Sequence, residues 1–335
     1  MTATTPAPLL RVNDLRVEYD TPGHTKVTAV DGVSFDVEPG ETVGLVGESG
    51  SGKSTVAKAL LHLTPINAGT ISVNGKDVTQ ITREQRRELS ATMQVVFQDP
   101  YSSFNPARTI GDSLTEMLVA QGVKDRRLIT ERATTLLSRV GLPSSAMQRL
   151  PSEFSGGQRQ RIAIARALMA QPKLLICDEA VSALDLSVQA QVLNLLRDLQ
   201  AEMDLATLFI SHDLNVVRHV SQRLLVLYKG RLAETGEAKQ IYAQPRHPYT
   251  RLLLEAAPVP DPAMQRHRAR SVPSPPDPRS ETGGCRFAPR CPYADDLCHT
   301  EDPVLANTPD ARQVACHHWR EIETHLTPAR STAAT

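Results

Sequence analysis

The sequence predicts an α/β protein carrying a helical insert, and three observations lead there. Short apolar runs with strand character ("TVGLVG", "PKLLICDEA", "ATLFISHDL") alternate with amphipathic stretches of helical length ("STVAKALLHL", "DLSVQAQVLNLLRDLQAEM"). Residues from about 110 to 171 carry helical spacing without an apolar strand, broken at Pro143 and Pro151. The insert therefore spans about 99–172. The third observation is the tail, where a Pro- and Ser-rich stretch precedes four clustered cysteines.

In chain order, "VTAVDGVSFDVEPGE" alternates apolar and polar residues, as a half-buried strand does. "TVGLVG" is continuously apolar and runs into a helix. "TISVNGKDV" reads as a strand and turn. "PKLLICDEA" reads as a buried strand that ends in two carboxylates. The helix after it places Val188, Val192, Leu195, Leu196 and Leu199 on one face. "ATLFISHDL" and "RLLVLYKGRLAETG" return to strands. The chain of 335 residues has 37 basic and 37 acidic side chains, so global charge points to neither nucleic acid nor an anionic membrane. The N-terminus lacks the pattern of a secretory signal, and no apolar stretch approaches the roughly 18–20 residues of a membrane span. The expectation is a soluble, cytosolic chain.

"GESGSGKST" fits G-x-x-x-x-G-K-[ST], with a strand before it and a helix after it. Glycines let backbone N–H groups wrap phosphates, and the helix N-terminus favours negative charge. Gly47, Ser49, Gly50, Ser51, Gly52, Lys53, Ser54 and Thr55 are the expected ATP-binding positions. Lys53 would neutralise the β/γ-phosphates, and the Ser54 hydroxyl would ligate Mg²⁺. Asp178 and Glu179 end a strand at the edge where α/β sheets bind ligands. Strand alternation is expected to point Asp178 at Mg²⁺ and Glu179 at the attacking water, as general base or water-positioning group. Without the upstream loop, an Asp-Glu pair would read as a solvated helix start.

"FSGGQRQRIAIARALMA" holds a second anion-binding device: Ser155, Gly156, Gly157 and Gln158 at a helix start. One nucleotide does not need two such sites on one subunit, whereas two subunits arranged head to tail would use both. With these blocks in this order, the chain resembles the ATP-binding cassette ATPases of ABC transporters over residues 9 to about 258. The resemblance implies a RecA-like P-loop ATPase core with an antiparallel β subdomain and an inserted helical subdomain. It also implies roles for single residues. Tyr19 would stack on adenine, and Gln98 would join the Mg²⁺ and water shell and link it to the membrane subunit. Asp185 of "SALD" would contact the partner across the dimer, and His212 would sit near the γ-phosphate. Alone, Tyr19 and His212 would read as packing residues. One departure is Ala180, where close relatives have proline after the Asp-Glu pair; its side chain does no chemistry.

"FQDPYSSFNPARTIGDSL", "QPRHPYTRLLLEAAP" and "GGCRFAPRCPYADDLC" resemble oligopeptide and dipeptide importer ATPases, and Tyr101 leans toward the second of their two ATPase types. This implies a different second ATPase as partner, two membrane permease subunits, a place on the cytoplasmic face of the membrane, and an extracytoplasmic binding protein that delivers peptide. Other solutes, such as nickel chelates or oligosaccharides, stay open, as do a soluble or an exporter-type cassette. The expected division is 1–258 for the ATPase, 259–284 for a linker and 285–335 for a Cys-rich extension. Cys285, Cys291, Cys298 and Cys316 are spaced C-x5-C-x6-C-x17-C. Disulfides need an oxidising compartment, zinc usually takes paired C-x2–4-C knuckles, and a four-thiolate iron–sulfur cluster tolerates wider spacing. Unligated thiols are a further reading, and His299, His317 and His318 are possible substitute ligands. The family resemblance favours a [4Fe–4S] cluster, with Zn²⁺ as the alternative, stapling an otherwise coreless extension. Cys177 reads as a small buried hydrophobe.

Overall fold

The computed structural model describes residues 7–20, 26–99, 103–256 and 283–324. Most of the expected linker, along with the chain ends, lies outside the described residues. Two sheets organise the fold. The smaller is antiparallel, with order β2-β1-β4-β5: β1 (Leu10–Asp20), β2 (Lys26–Val37), β4 (Ala68–Val73) and β5 (Lys76–Asp77). β1 buries Leu10, Val12, Leu15 and Val17 and exposes residues between them, the alternation of a sheet with one wet face.

The larger sheet has a parallel centre in the order β9-β3-β8-β7-β6, made of β3 (Thr42–Val46), β6 (Met93–Val96), β7 (Leu174–Asp178), β8 (Ala206–Ser211) and β9 (Arg223–Tyr228). β3, β7 and β8 are buried along their whole length, which is why they read as unbroken apolar runs. α1 (Lys53–Leu60) follows β3 directly. α2 (Arg83–Thr92) escaped the sequence reading because it is charged throughout and buries Leu89 alone; a Thr82–Gln85 capping box starts it.

The helical region holds α3 (Ile110–Ala120), α4 (Arg126–Arg139), two 3₁₀ turns at Ser144–Gln148 and Pro151–Glu153, and α5 (Gly156–Leu168). Pro143 and Pro151 begin those turns, as the breaks predicted. Ile110, Leu114, Leu118, Ile129, Leu137, Ile162 and Ile164 form its core, continuous with the parallel sheet. α6 (Leu186–Met203) buries Val192, Leu196 and Leu199 as expected, adds Leu193, and leaves Val188 and Leu195 partly buried against the same core. α7 (Leu214–Val220), β10 (Arg231–Glu237), α8 (Ala238–Ala243) and α9 (Pro248–Ala256) complete the first 256 residues.

The extension corrects the expectation of a coreless tail. β12 (Gln313–Val314) pairs antiparallel with β10 and carries β11 (Ala306–Asn307), so the extension continues the ATPase sheet. Phe287 is buried within the main core, and Val314, Trp319 and Ile322 are buried too. Arg312 and Glu234 are almost completely buried as a pair, Nη1 to Oε1 3.5 Å, with Arg312 also donating to the Gln244 carbonyl at 2.6 Å. Burial pushes the Glu234 carboxyl up, and the Arg246 and His247 amides that donate to it, both at 3.0 Å, work in the other direction. An apolar core alone would not need this pair. It ties the tail to the sheet through contacts that local sequence patterns do not signal.

Candidate functional site

β3 delivers the phosphate loop to the C-terminal edge of the parallel sheet. Gly52 adopts φ 106° just before α1, and a side chain there would run into the Ala29 carbonyl. A side chain at Gly47 would meet the Leu227 carbonyl in the same way, so the loop lies flat on the neighbouring backbone. Its underside is pinned by the Gly230 amide, which donates to the Ser51 carbonyl at 2.8 Å. Lys53 is buried and donates to the Gly47 carbonyl at 2.8 Å and the Glu48 carbonyl at 2.9 Å. Burial pulls its ammonium below the usual range, and Glu179, Asp178 and Glu48 work against that. Such a cation gains by meeting anionic phosphate.

The Ser54 hydroxyl donates to Asp178 Oδ1 at 3.2 Å. Burial raises the Asp178 carboxyl and the Ser54 hydrogen bond opposes it. A hydroxyl and a carboxylate side by side beneath a phosphate site form an oxygen donor set that suits Mg²⁺, which binds through one or two protein oxygens plus substrate phosphates and water. Glu179 departs from the expected strand alternation. It stands just past β7 at φ 51°, a left-handed conformation that is rare for a glutamate, held by its amide donating to the Ile210 carbonyl at 2.9 Å. Leaving the strand, rather than alternating along it, is what sets its direction. His212 Nδ1 lies 3.3 Å from Glu179 Oε1. Lys53, Ser54, Asp178, Glu179 and His212 thus gather at one edge, where a water could be aimed at a phosphate.

The other expected residues are not brought into that group. Gln98 is exposed two residues beyond β6, on the same C-terminal edge as Asp178. Tyr19 is 36% exposed near the end of β1. Ser155 caps α5, accepting the Gln158 amide at 3.3 Å, while Gln158 Oε1 accepts the Ser155 amide at 3.0 Å. Gly157 is required by packing, since a side chain there would strike Val188 of α6. Among the described residues, no hydrogen bond or ion pair joins Ser155–Gln158 to the phosphate loop. α5 packs on α3, α4, α6 and β6, whereas α1 packs on β2 and β7. Asp185 caps α6 through the Val188 amide (3.0 Å) and the Ser187 hydroxyl (2.7 Å), and these bonds hold its carboxyl below the ordinary value. Ala180 is buried.

Tyr249 and Arg290 are contacts of the loop that sequence reading missed. The Glu48 amide donates to the Tyr249 hydroxyl at 2.8 Å, and Arg290 reaches the Glu48 carboxylate. They lie some 200 and 242 residues from Glu48, beyond any local signal.

In the tail, Cys285, Cys291, Cys298 and Cys316 line one small cavity and all are free thiols. The Cys285 amide donates to the Cys298 carbonyl at 2.8 Å, which closes the loop between them. Burial raises all four thiols, Cys291 to about 11 and Cys316 to about 12. Buried thiols with raised values are poor nucleophiles, and four that line one cavity are candidate metal ligands. Among the described residues, the ligand atoms that all lie within 4.8 Å of one another belong to Asp295, Cys298 and His318, not to three of the cysteines. Cys177 is buried in β7 and its thiol is pushed up to about 12, as a packing residue.

Among the described residues, no helix is long and apolar enough to cross a membrane. The profile described as ABC transporter matches residues 30–182, and the one described as oligopeptide/dipeptide transporter, C-terminal region, matches residues 233–298. The di/tripeptide transport ATP-binding protein DppF of Pseudomonas aeruginosa is 47% identical over 319 residues, 94% of this chain and 98% of that one. A probable peptide ABC transporter ATP-binding protein, y4tS, of Sinorhizobium fredii is 51% identical over 294 residues, 87% and 82% of the two chains. The fold matches the ATP-binding cassette MJ0796, solved as a post-hydrolysis dimer with ADP and Pi, at TM-score 0.62 and 25% identity over 68% of this chain and 98% of that one. It also matches cbiO1 of Clostridium perfringens at TM-score 0.63 and 25% identity, over 70% and 91%. The chain has the ABC cassette fold, binds ATP and is an ATPase. It belongs to the ATP-binding subunits of the oligopeptide/dipeptide family of ABC transporters.

Proposed function

We propose that this chain is the ATP-hydrolysing subunit that powers import of di- and oligopeptides through a membrane transporter. The observation that carries the reading is the separation of two phosphate-binding devices: Lys53, Ser54, Asp178, Glu179 and His212 on one edge, and Ser155–Gln158 on a different set of helices. Such a chain completes its site only with a second cassette turned head to tail. The partner is a different ATPase, and this chain is the second, DppF-like type. The pair sits beneath two permease subunits on the cytoplasmic face of the membrane, and a binding protein outside delivers peptide.

In the shared site the phosphate loop and Lys53 hold the β- and γ-phosphates, and Tyr19 stacks on adenine. Ser54 and Asp178, with Gln98, hold Mg²⁺, which neutralises charge on the phosphates. Glu179 takes a proton from the attacking water as its oxygen bonds to the γ-phosphorus and the bond to the bridging oxygen breaks, leaving ADP and phosphate. His212, 3.3 Å from Glu179, orients that carboxylate and meets the γ-phosphate. Ser155, Gly156, Gly157 and Gln158 donate to the ATP held by the partner, and the Asp185 loop touches the partner. ATP favours the closed dimer because it binds both halves only there. The helical subdomain, about 99–172, receives the permeases, and motion at Gln98 passes to them. The chain divides at 258 and 285 into ATPase, linker and extension.

Uptake of labelled peptide in cells carrying either the native chain or Glu179→Gln tests this reading. Native uptake that the variant abolishes, in a complex that still assembles, is the expected result. Equal uptake in both strains, with no second importer present, would remove the peptide assignment.

At the tail, Cys285, Cys291, Cys298 and Cys316 hold a [4Fe–4S] cluster, which joins the extension as a structural staple. The four cysteines line one cavity, which supports a group held by all of them, and their spacing lacks the paired C-x2–4-C knuckles usual for zinc. Anaerobic purification should give about four iron and four sulfide per chain. Zinc without iron or sulfide would overturn the cluster.

A further inference from the structure

We propose that Arg290 is a positioning residue for ATP, holding and neutralising Glu48 so that the phosphate loop accepts a polyanion. The proposal rests on reading Gly47–Thr55 as the ATP site. Glu48 is the second residue of that loop, and an unpaired carboxylate there would repel phosphate. Arg290 meets it with a two-pronged ion pair, Nη1 to Oε2 2.8 Å and Nη2 to Oε1 2.9 Å. The Arg290 side chain is 10% exposed and that of Glu48 is 40% exposed, so the pair is only partly screened by water.

Glu48 is gripped at three points. Its carbonyl accepts Lys53, its amide donates to the Tyr249 hydroxyl, and its carboxylate takes Arg290. Arg290 closes the 3₁₀ turn Ala288–Arg290 and is followed directly by Cys291. Its guanidinium lies 5.7 Å from the Phe287 ring centre, and Phe287 packs on Tyr228 and Tyr249 at 5.3 and 5.6 Å. The same aromatic cluster therefore carries two of the three grips. A tail that merely needed attachment to the core already has β12 on β10 and the Arg312–Glu234 pair. The Arg290 contact falls instead on the loop that holds this chain's own ATP phosphates.

The test is ATP turnover by the full chain purified in complex with its partner subunits, with KM and kcat determined separately. Arg290→Ala should raise KM for ATP about tenfold and leave kcat within about twofold, because the loop binds phosphate in ground and transition states alike. Adding Glu48→Gln to Arg290→Ala should bring KM back to within about threefold of native, since the repelling charge is gone. Arg290→Lys keeps the charge but loses the two-pronged fit, so its KM should fall between native and Arg290→Ala. An unchanged KM in Arg290→Ala would overturn the proposal. So would a raised KM that Glu48→Gln does not relieve, which would mark the contact as structural only. A native complex that turns over no ATP would instead remove the ATPase reading beneath it.

Discussion

Two helix N-termini in this molecule are built from glycine and serine, and they differ in what surrounds them. The phosphate loop before α1 is ringed by a buried lysine, two carboxylates and a histidine, and rests on the Tyr228–Arg231 hairpin. Ser155–Gln158 before α5 is as well formed, yet its capping box satisfies only itself. Local geometry gives both the ability to bind an anion. Charged side chains bonded around the first give it the means for chemistry, and on the function proposed above the second completes a neighbouring site. The difference predicts that changes at the first act inside this chain and changes at the second act on its partner.

The largest effect should come from Glu179→Gln, which keeps the size and loses the base. ATP hydrolysis by the complex should fall roughly 10²–10⁴-fold while ATP binding persists, read by turnover and by nucleotide titration. Hydrolysis near the native rate would take Glu179 out of the chemistry. Next, Ser155→Arg should lower turnover of the assembled complex by roughly 10²-fold, the scale of losing an oriented donor. ATP affinity of this chain's own loop, titrated without the partner, should not move. A fall there would break the comparison, because the two devices would then share one nucleotide within a subunit. Gly157→Val should mimic Ser155→Arg and also lower the melting temperature, since Val188 occupies the space.

The smallest effect concerns the hairpin that supports the loop. Asp31 Oδ2 accepts Arg231 Nε and Nη2 at 3.0 and 2.9 Å and also meets Arg286. Burial alone would raise the Asp31 carboxyl, but the hydrogen bonds and charges of Arg231 and Arg286 outweigh it and hold it below its usual 3.8. A carboxyl with a lowered folded value adds stability that is present above pH 3.8 and lost as pH falls through that lowered value. The native chain should therefore melt a few degrees above Asp31→Asn near neutrality, with the gap closing in acid. A gap independent of pH would mean that the ion pairs contribute nothing to the hairpin.

Much of the centre was legible because its chemistry is local. Lys53 and Ser54 sit in one nine-residue run, and Asp178 and Glu179 end an unmistakable buried strand. The direction of Glu179 was not legible. Strand alternation was the natural expectation, but the residue leaves β7 in a left-handed conformation fixed by the Ile210 carbonyl on β8. α2 was missed because a helix that buries only Leu89 has no apolar stripe to read. The tail looked coreless because its buried residues, among them Phe287, Arg312 and Val314, are isolated in sequence and find their partners on β9, β10, α8 and α9.

The sequence on its own carried the Gly47–Thr55 phosphate loop, the Asp178–Glu179 pair and the clustering of four cysteines. The loop and the carboxylate pair are runs of neighbouring residues, so spacing is enough to read them; the Ser54–Asp178 contact, across 124 residues, is not legible that way. That the cysteine-bearing tail adds strands to the ATPase sheet, and that Arg290 meets Glu48 across 242 residues, is visible in the fold alone. An ion pair or a strand pairing depends on where two distant segments come to rest. Burial of the whole core sets that position, and the period of any one segment does not.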